Sequence, residues 1–182
     1  MVAVARRLLG KYLFTQVSGR VTAGMIVETE AYSPKERGSH AFGYRRTKRN
    51  EQMYSEGGSS YVYLCYGIHH MFNVVTNVTD IPDAVLIRAL EPVEGQATMM
   101  RRLQARTENR LTSGPGKLAK AMAIDLRMNG ASLQSKSVWI EEGAPVAAKQ
   151  ISMGPRIGID YACEDALLPW RFVLKGNVWV SR

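Results

Sequence analysis

The clearest pattern of hydrophobic positions in the chain lies in residues 60–75, SYVYLCYGIHHMFNVV, which are rich in aromatic and β-branched side chains. Such residues favour β-strands, and the segment contains no proline. Its one glycine, Gly67, can adopt the positive φ that a tight reversal requires. The pattern therefore predicts a β-hairpin with Tyr66 beside the turn. Taken alone, this pattern indicates that the Tyr66 side chain covers its neighbours, and the alternative that it acts as a wedge is less favoured.

Residues 20–32, RVTAGMIVETEAY, alternate with the period of a β-strand, and this alternation places Glu28, Glu30 and Tyr32 on the same side. We expect Glu28 on a solvated face, because strand carboxylates are most often found there. Glu30 has an aromatic residue two positions away and is therefore the better candidate for a functional site.

A single arginine interrupts the apolar segment of residues 84–90, AVLIRAL. If this segment is a strand, Leu86, Arg88 and Leu90 share one face. Burying a guanidinium group is costly unless an anion accompanies it, so Arg88 is expected to be paired or to lie at a site. Glu30 is the obvious candidate partner.

Three other segments have helical character. Residues 4–13 predict a short amphipathic helix that ends at a loop near residues 18–19, and residues 93–106 predict a basic amphipathic helix. A turn at residues 113–116 precedes a further predicted helix over residues 117–124.

The turn before this last helix, SGPG, allows two interpretations. Backbone N–H groups after Gly114, together with Lys117, could bind a phosphate group. An ordinary loop with Ser113 as the helix cap fits the pattern equally well. Residues 139–182 predict short strands and turns that complete the core and do not contribute chemistry.

Residues 33–56 read as an extended loop, and loops of this length are usually functional. The cations of this loop are Lys35, Arg37, Arg45, Arg46, Lys48 and Arg49, and they alternate with the rings of His40, Phe42, Tyr44 and Tyr54. Cationic side chains neutralise phosphates and rings stack on bases, so the loop suits a nucleic acid. A solvated basic loop without a ligand is an equally good interpretation.

The overall composition narrows the class of protein and its partners. With 46% hydrophobic and 22% charged residues, the chain resembles soluble globular proteins, and residues 1–182 fit a single domain. There are 24 Lys and Arg against 16 Asp and Glu, which gives a net charge of +8. Such a charge favours a polyanionic partner, with nucleic acid first and an acidic membrane surface second.

Several classes of protein are not expected. Cys65 and Cys163 fit no metal-binding or redox spacing, which favours a reducing cytoplasm. Arginines interrupt the apolar residues 1–10, which therefore fit neither a signal sequence nor a membrane span. The chain lacks a nucleophile elbow, a phosphate-binding loop and a complete dinucleotide-binding motif. A metal site is not expected either, since the adjacent His69 and His70 face opposite ways on a strand.

Eight short segments follow one another along nearly the whole chain: ARRLLGKYL, IVETEAY, RNEQMY, YVYLCYGIHHMFNVV, LIRALEPVEG, LTSGPGKLAKAMAI, RIGIDYA and WRFVLKGNVWVS. In this order they resemble the conserved blocks of the alkyladenine (3-methyladenine) DNA glycosylase family. One block alone would support this resemblance only weakly, whereas eight blocks in the same order are specific to the family. The resemblance implies hydrolysis of the N-glycosidic bond of alkylated or deaminated purines, with neither metal nor cofactor, leaving an abasic site.

The resemblance also implies roles for individual residues. Glu30 would be the general base that deprotonates the attacking water, and Arg88 would help to hold that water. Tyr66 would be the wedge that fills the gap left in the DNA when the base is extruded.

The predicted base pocket is formed by Tyr32, His40, Tyr63, Asn73 and Leu86. By resemblance, the base would lie between Tyr32 and His40 on one side and Tyr63 on the other, and Asn73 would disfavour the exocyclic amine of normal guanine. The predicted contacts with the DNA backbone are Arg45, Arg46, Lys48, Arg49, Ser113, Gly114 and Lys117.

These inferences predict a monofunctional DNA glycosylase that acts as a monomer on double-stranded DNA containing a damaged purine. We expect it in the cytoplasm, associated with the nucleoid in a bacterium. The expected fold is α+β, a single domain with a curved antiparallel sheet, flanking helices and a protruding hairpin. Two alternatives are a non-catalytic module that binds damaged DNA and a metal-dependent hydrolase that uses His40 and Glu28.

Overall fold

In the computed structural model, which describes residues 1–181, eight strands form one antiparallel sheet. The strands are β1 (Tyr12–Val17), β2 (Arg20–Tyr32), β3 (Ser60–Cys65), β4 (His69–Val75), β5 (Ala84–Glu94), β6 (Val138–Glu141), β7 (Ile151–Gly154) and β8 (Arg171–Leu174). The same residues contain three α-helices, α1 (Val2–Leu8), α2 (Gln96–Leu103) and α3 (Pro115–Ala121). The predicted α+β class is confirmed.

Strand β2 organises the sheet because it pairs with three other strands, β1, β5 and β8. The strand order is β3-β4-β5-β2-β1-β6, and β8 pairs with β2 and with β7. Along one edge of β2, residues 20–25 pair with β1 and residues 28–30 pair with β8, while β5 covers the other edge. The end of β2 that carries the two glutamates is therefore enclosed.

The pairing between β2 and β5 is irregular near these glutamates. Thr29 pairs with Ile87 and Glu28 pairs with Ala89, so Arg88 stands as an extra residue between two paired positions. Such bulges bend a strand and redirect side chains, and they are common next to active sites.

The main hydrophobic core lies against the sheet and includes Leu13, Ile26, Phe72, Ile87 and Leu118, all fully buried. A smaller cluster anchors loop 33–56, which contains 3₁₀ turns at Phe42–Tyr44 and Glu51–Tyr54. This cluster comprises Ala41, Met53, Tyr54, Tyr61, Val75 and Ala84. The loop is thereby held against the β3–β4 hairpin.

The predicted hairpin is confirmed. Cys65 pairs with His69, and the Ile68 N–H donates to the Cys65 carbonyl at 3.0 Å. Tyr66 and Gly67 between them have φ of +50° and +71°, which matches a turn of type I′. The Tyr66 side chain is 86% exposed, so it protrudes from the tip and does not cover its neighbours.

The predicted helix over residues 4–13 was wrong at its C-terminal end. Helix α1 ends at Leu8, Gly10 has φ of +82°, and β1 begins at Tyr12. Glycine readily adopts this conformation, which ends a helix, and the alternating sequence YLFTQV then favours a strand. The loop predicted near residues 18–19 is the turn between β1 and β2.

The bounds of other helices and strands also differ from those predicted. Strand β5 extends to Glu94, and Gly95 with φ of +76° separates it from α2, which is shorter than the predicted 93–106. Helix α3 covers residues 115–121 instead of 117–124. In the C-terminal part, where short strands and turns were predicted, residues 160–167 form 3₁₀ turns.

Within residues 1–181, no helix combines the length and the apolar character needed to cross a membrane.

Candidate active site

A cavity of about 690 Å³ lies beside the β3–β4 hairpin. The hairpin, loop 33–56, β5 and residues 157–161 form its walls. It is lined by eight of the residues predicted from the sequence, Tyr32, His40, Arg49, Tyr63, Tyr66, Asn73, Leu86 and Arg88. A cavity of this size with aromatic walls and a few polar groups is typical of a site for a small molecule.

Glu30 is fully buried and contacts three residues that line this cavity. Its Oε1 accepts a hydrogen bond from the Ile157 backbone N–H at 2.8 Å. Its Oε2 accepts one from the Tyr32 hydroxyl at 2.8 Å, and Arg88 Nη1 lies 3.3 Å from the same oxygen. These donors hold the carboxylate in one orientation behind the cavity wall.

Burial has the largest influence on the protonation of Glu30. It raises the pKa of Glu30 above the ordinary 4.5, against the opposing effects of Arg88, Ile157 and Tyr32. Burial and the nearby Glu30 raise the pKa of Tyr32 well above 10, so its hydroxyl stays protonated and donates to Glu30. A carboxylate with a raised pKa is suited to take up a proton near neutral pH.

Arg88 joins the two glutamates of β2. Its Nε lies 3.2 Å from Glu28 Oε1 and its Nη1 lies 3.3 Å from Glu30 Oε2, while the residue is 7% exposed. The prediction that Arg88 is paired is confirmed, and Glu30 is one of its two partners.

The expectation that Glu28 faces solvent is wrong, because Glu28 is fully buried. Strand β8 covers this part of β2, and Arg171 Nε donates to Glu28 Oε1 at 2.6 Å. The Ser181 N–H donates to Glu28 Oε2 at 2.6 Å, and its hydroxyl donates to Oε1 at 2.8 Å. Glu28 therefore fixes Arg88 within a network in which two guanidinium groups balance two carboxylates.

His40 and Tyr63 form one aromatic wall of the cavity, with ring centroids 4.4 Å apart and planes inclined by 64°. A base stacked between two rings needs a gap of about 7 Å, twice a carbon–carbon contact of about 3.5 Å. The predicted arrangement, with His40 and Tyr63 on opposite faces of the base, is therefore incompatible with this structure. Tyr32 is the remaining ring of the predicted base pocket and the candidate for the opposite wall.

The His40 ring is neutral near pH 7. Desolvation by its surroundings and the neighbouring Arg49 cation lower the pKa of His40 to about 4. The Arg49 guanidinium carbon lies 5.6 Å from the centroid of the Tyr63 ring, and Nη2 donates to the Leu64 carbonyl at 3.1 Å. Arg49 was predicted to contact the DNA backbone, and the structure places it at the cavity wall.

Asn73 on β4 and Leu86 on β5 are paired in register, and both are nearly fully buried. The Asn73 amide donates to the Tyr61 carbonyl at 3.1 Å, which fixes the orientation of its side chain. A held amide opposite an apolar side chain can distinguish ligands by the polar groups along their edges.

A buried ion pair between Arg156 and Glu36 was not predicted from the sequence. Arg156 Nη1 and Nη2 each lie 2.7 Å from one oxygen of Glu36, and the next residue is Ile157, which donates to Glu30. The prediction that residues 139–182 complete only the core is therefore wrong. The sequence around Arg156, with glycine and proline on either side, gives no signal comparable to that of Arg88 in its apolar strand.

The predicted backbone contacts in loop 33–56 fall into two groups. Arg45 and Lys48 are exposed. Arg46 is also exposed, but its guanidinium lies 2.6 Å from Glu51 and 2.8 Å from Asp80. Arg46 therefore stabilises the fold of the loop and is a weaker candidate for a phosphate contact.

The start of α3 lies beside the hairpin. Pro115 lines the cavity, and Gly116 packs so closely on His69 that an added Cβ would lie 2.7 Å from the ring. Gly114 is the N-cap of α3, so the interpretation with Ser113 as the helix cap is wrong. Lys117 is exposed in this first turn.

The residues named for a metal-dependent alternative have other partners. Glu28 binds Arg88, Arg171 and Ser181, and His40 Nδ1 lies 2.9 Å from the Tyr61 hydroxyl. Over residues 1–181, no group of three or more His, Cys, Asp or Glu side chains is placed to hold a metal ion.

The sequence matches a family model described as methylpurine-DNA glycosylase (MPG) over residues 1–178. A protein of Chlamydia abortus is 47% identical over 174 residues, which cover 94% of this chain and 90% of the relative. Proteins of Natranaerobius thermophilus and Bacillus cereus are both 44% identical, with 99% and 98% of this chain and 93% of each relative covered. All three relatives carry the name "Putative 3-methyladenine DNA glycosylase".

Proposed function

Because the chain belongs to the methylpurine-DNA glycosylase family, we propose that it hydrolyses the N-glycosidic bond of damaged purines in duplex DNA. One observation carries this proposal. Glu30, a buried carboxylate with a raised pKa, lies against Arg88 behind a cavity with aromatic walls. These are the groups that activation of a water beside a stacked base requires.

The substrate base must leave the DNA stack to reach this cavity. Tyr66 protrudes from the hairpin tip and also borders the cavity, so it can fill the gap in the duplex while the extruded base enters. His40 and Tyr63 would contact one face of the base and Tyr32 the other. Lys48 and Lys117, both exposed, would contact phosphates of the DNA backbone.

In the chemical step, Glu30 takes a proton from water while the water oxygen bonds to the anomeric carbon of the sugar. The bond to the purine nitrogen breaks, and the base leaves with the electron pair. An alkylated purine is already cationic and leaves as a neutral base, so one carboxylate is sufficient. Arg88 would orient the water, and the Glu30 charge would stabilise the developing oxocarbenium ion. No step in this mechanism requires a metal or cofactor.

The simplest test uses a duplex with one alkylated purine. We expect strand scission only after alkali treatment, and the same yield in EDTA. Scission without alkali would contradict a monofunctional enzyme, and loss of activity in EDTA would favour a metal-dependent hydrolase. Tight lesion binding without scission would favour the non-catalytic module. One chain supplies every group named above, so we expect a monomer. We also expect it in the cytoplasm, associated with the nucleoid in a bacterium.

The pH dependence is expected to differ between cationic and neutral lesions. Glu30 acts only when ionised, so excision of a cationic purine should rise with pH to a plateau, with a midpoint above 4.5. A neutral lesion such as hypoxanthine must itself be protonated to leave, so its profile should fall again at higher pH. Single-turnover rates across pH measure both profiles. An acid limb at or below 4.5 would contradict the role given to Glu30.

Replacing Tyr66 with serine should weaken capture of the extruded base by about 1–3 kcal/mol, the value of an aromatic–base stack. Equilibrium binding to lesion-containing and undamaged duplexes measures the change. Ile68→Ser is the matched control, because Ile68 is 72% exposed on the same turn but does not line the cavity. Equal losses in both variants, or no loss with Tyr66→Ser, would show that Tyr66 is not the wedge.

A further inference from the structure

We propose that Arg156, behind the Tyr32 ring, is a specificity-determining residue that sets the balance between cationic and neutral lesions. This inference rests on the proposed function and concerns which damaged purines the site accepts. Arg156 does not line the cavity, so it would act through Tyr32 and not by contact with the base.

The Arg156 side chain is fully buried, and both of its terminal nitrogens are held by hydrogen bonds. Its guanidinium carbon lies 4.8 Å from the centroid of Tyr32 and 5.2 Å from that of Trp170. Glu36 binds both terminal nitrogens, and these nitrogens also donate to the Ala31 and Asp165 carbonyls at 3.0 Å. Such a guanidinium cannot turn away from the Tyr32 ring when a ligand arrives.

A cation on one face of an aromatic ring changes what the other face can bind. The electron-rich face of a ring attracts cations, which favours an alkylated, positively charged purine. In this site one face of Tyr32 already interacts with Arg156, and a second cation on the cavity side would repel it across the ring. A neutral base would not experience this repulsion, so Arg156 should favour neutral lesions.

Other charged groups around the cavity set the background for this effect. Glu36 offsets part of the Arg156 charge because it forms two hydrogen bonds with the guanidinium. Arg49 lies over Tyr63 on the other wall, and Glu30 and Arg88 lie beyond the Tyr32 hydroxyl. Arg49, Glu30 and Arg88 are all retained when Arg156 or Glu36 is replaced, so the two positions can be tested with these other charges kept in place.

The test compares excision of 7-methylguanine, a cationic lesion, with excision of hypoxanthine, a neutral lesion, at one pH slightly below neutrality. Glu36→Gln removes the counter-ion and leaves the Arg156 charge, so the cationic-to-neutral ratio of rates should fall about threefold to tenfold. The double variant Arg156→Met with Glu36→Gln removes both charges, so the ratio should rise above that of wild type. Arg156→Lys keeps the charge and should leave the ratio near the wild-type value while it lowers the melting temperature.

Opposite shifts in the first two variants would support the proposal, because a loss of packing would lower both rates alike. The proposal would be overturned if the ratio shifted in the same direction in both variants, or if it stayed within twofold of wild type in both. If the double variant does not fold, the two single variants still test the proposal. Glu36→Gln should change the cationic-to-neutral ratio of rates, and Arg156→Lys should not. In a Glu30→Gln background, where excision is blocked, equilibrium binding of the same duplexes gives the ratio of affinities for the two lesions. A wild-type protein that neither binds nor excises either lesion would overturn the proposed function together with this inference.

Discussion

Replacing Glu30 with glutamine is expected to reduce excision of an alkylated purine by about 10²–10⁴-fold, the usual contribution of a positioned general base. Glutamine has nearly the same shape, and its carbonyl oxygen can still accept a hydrogen bond from Ile157 or Tyr32. It cannot take a proton from water. Lesion binding should therefore persist while single-turnover excision is lost, and both are measured on one labelled duplex.

Glu28→Gln is the matched control for this experiment, since it is the same change on the same strand two residues earlier. The partners of Glu28 are Arg88, Arg171 and Ser181, of which only Arg88 lines the cavity, whereas all three partners of Glu30 line it. We expect Glu28→Gln to lower stability and to reduce excision much less than Glu30→Gln. Equal losses of excision would mean that the buried network, and not the Glu30 base, limits the reaction.

Arg88→Met is expected to lower the free energy of unfolding by about 3–5 kcal/mol, because breaking a buried ion pair leaves uncompensated charge. Arg88 donates to both buried glutamates, and Glu30 has no second cation among its contacts. The loss of Arg88 removes the largest influence that lowers the pKa of Glu30. Urea denaturation measures the change in stability.

The loss of stability in Arg88→Met should also depend on pH. In this variant the pKa of Glu30 in the folded state rises further above the unfolded value of about 4.3. When the pKa of a carboxyl group is higher in the folded state than in the unfolded state, its protonated form stabilises the fold. This contribution disappears as pH rises through the folded-state pKa. The difference from wild type should therefore be larger at about pH 8 than at about pH 5.

Arg46→Met serves as the control for Arg88→Met, because Arg46 also binds two carboxylates, Glu51 and Asp80, but on the surface. Exposed ion pairs are screened by water and contribute little to stability. We therefore expect Arg46→Met to cause a small loss of the free energy of unfolding that does not grow with pH. A comparable loss in both variants, or a loss with Arg88→Met that does not change with pH, would contradict the assigned environment of Arg88.

The residues that the sequence located correctly are those whose signal is local. The period of two in a strand indicates that Glu30 and Tyr32 share a side, and the Tyr66-Gly67 pair marks a tight turn. An arginine within an apolar strand requires an anion wherever the strand lies, so the pairing of Arg88 could be predicted without a fold.

The residues that were misplaced or missed depend on contacts between distant parts of the chain. Glu28 has the same local pattern as Glu30, and it is buried because β8, about 140 positions later, pairs with it. Local periodicity predicts which face a side chain shares but not what covers that face. The same limit applied to Ile157, whose backbone N–H carries no side-chain signal at all.

By itself, the sequence determined the family, the hairpin with Tyr66 at its tip, and the need of Arg88 for a carboxylate partner. Only the tertiary structure decided which groups surround that carboxylate, that His40 and Tyr63 share one wall, and that Arg156 lies behind Tyr32. The physical reason is that turns and strand faces follow from neighbouring residues, whereas burial and charge at a site depend on segments that meet only in the folded chain.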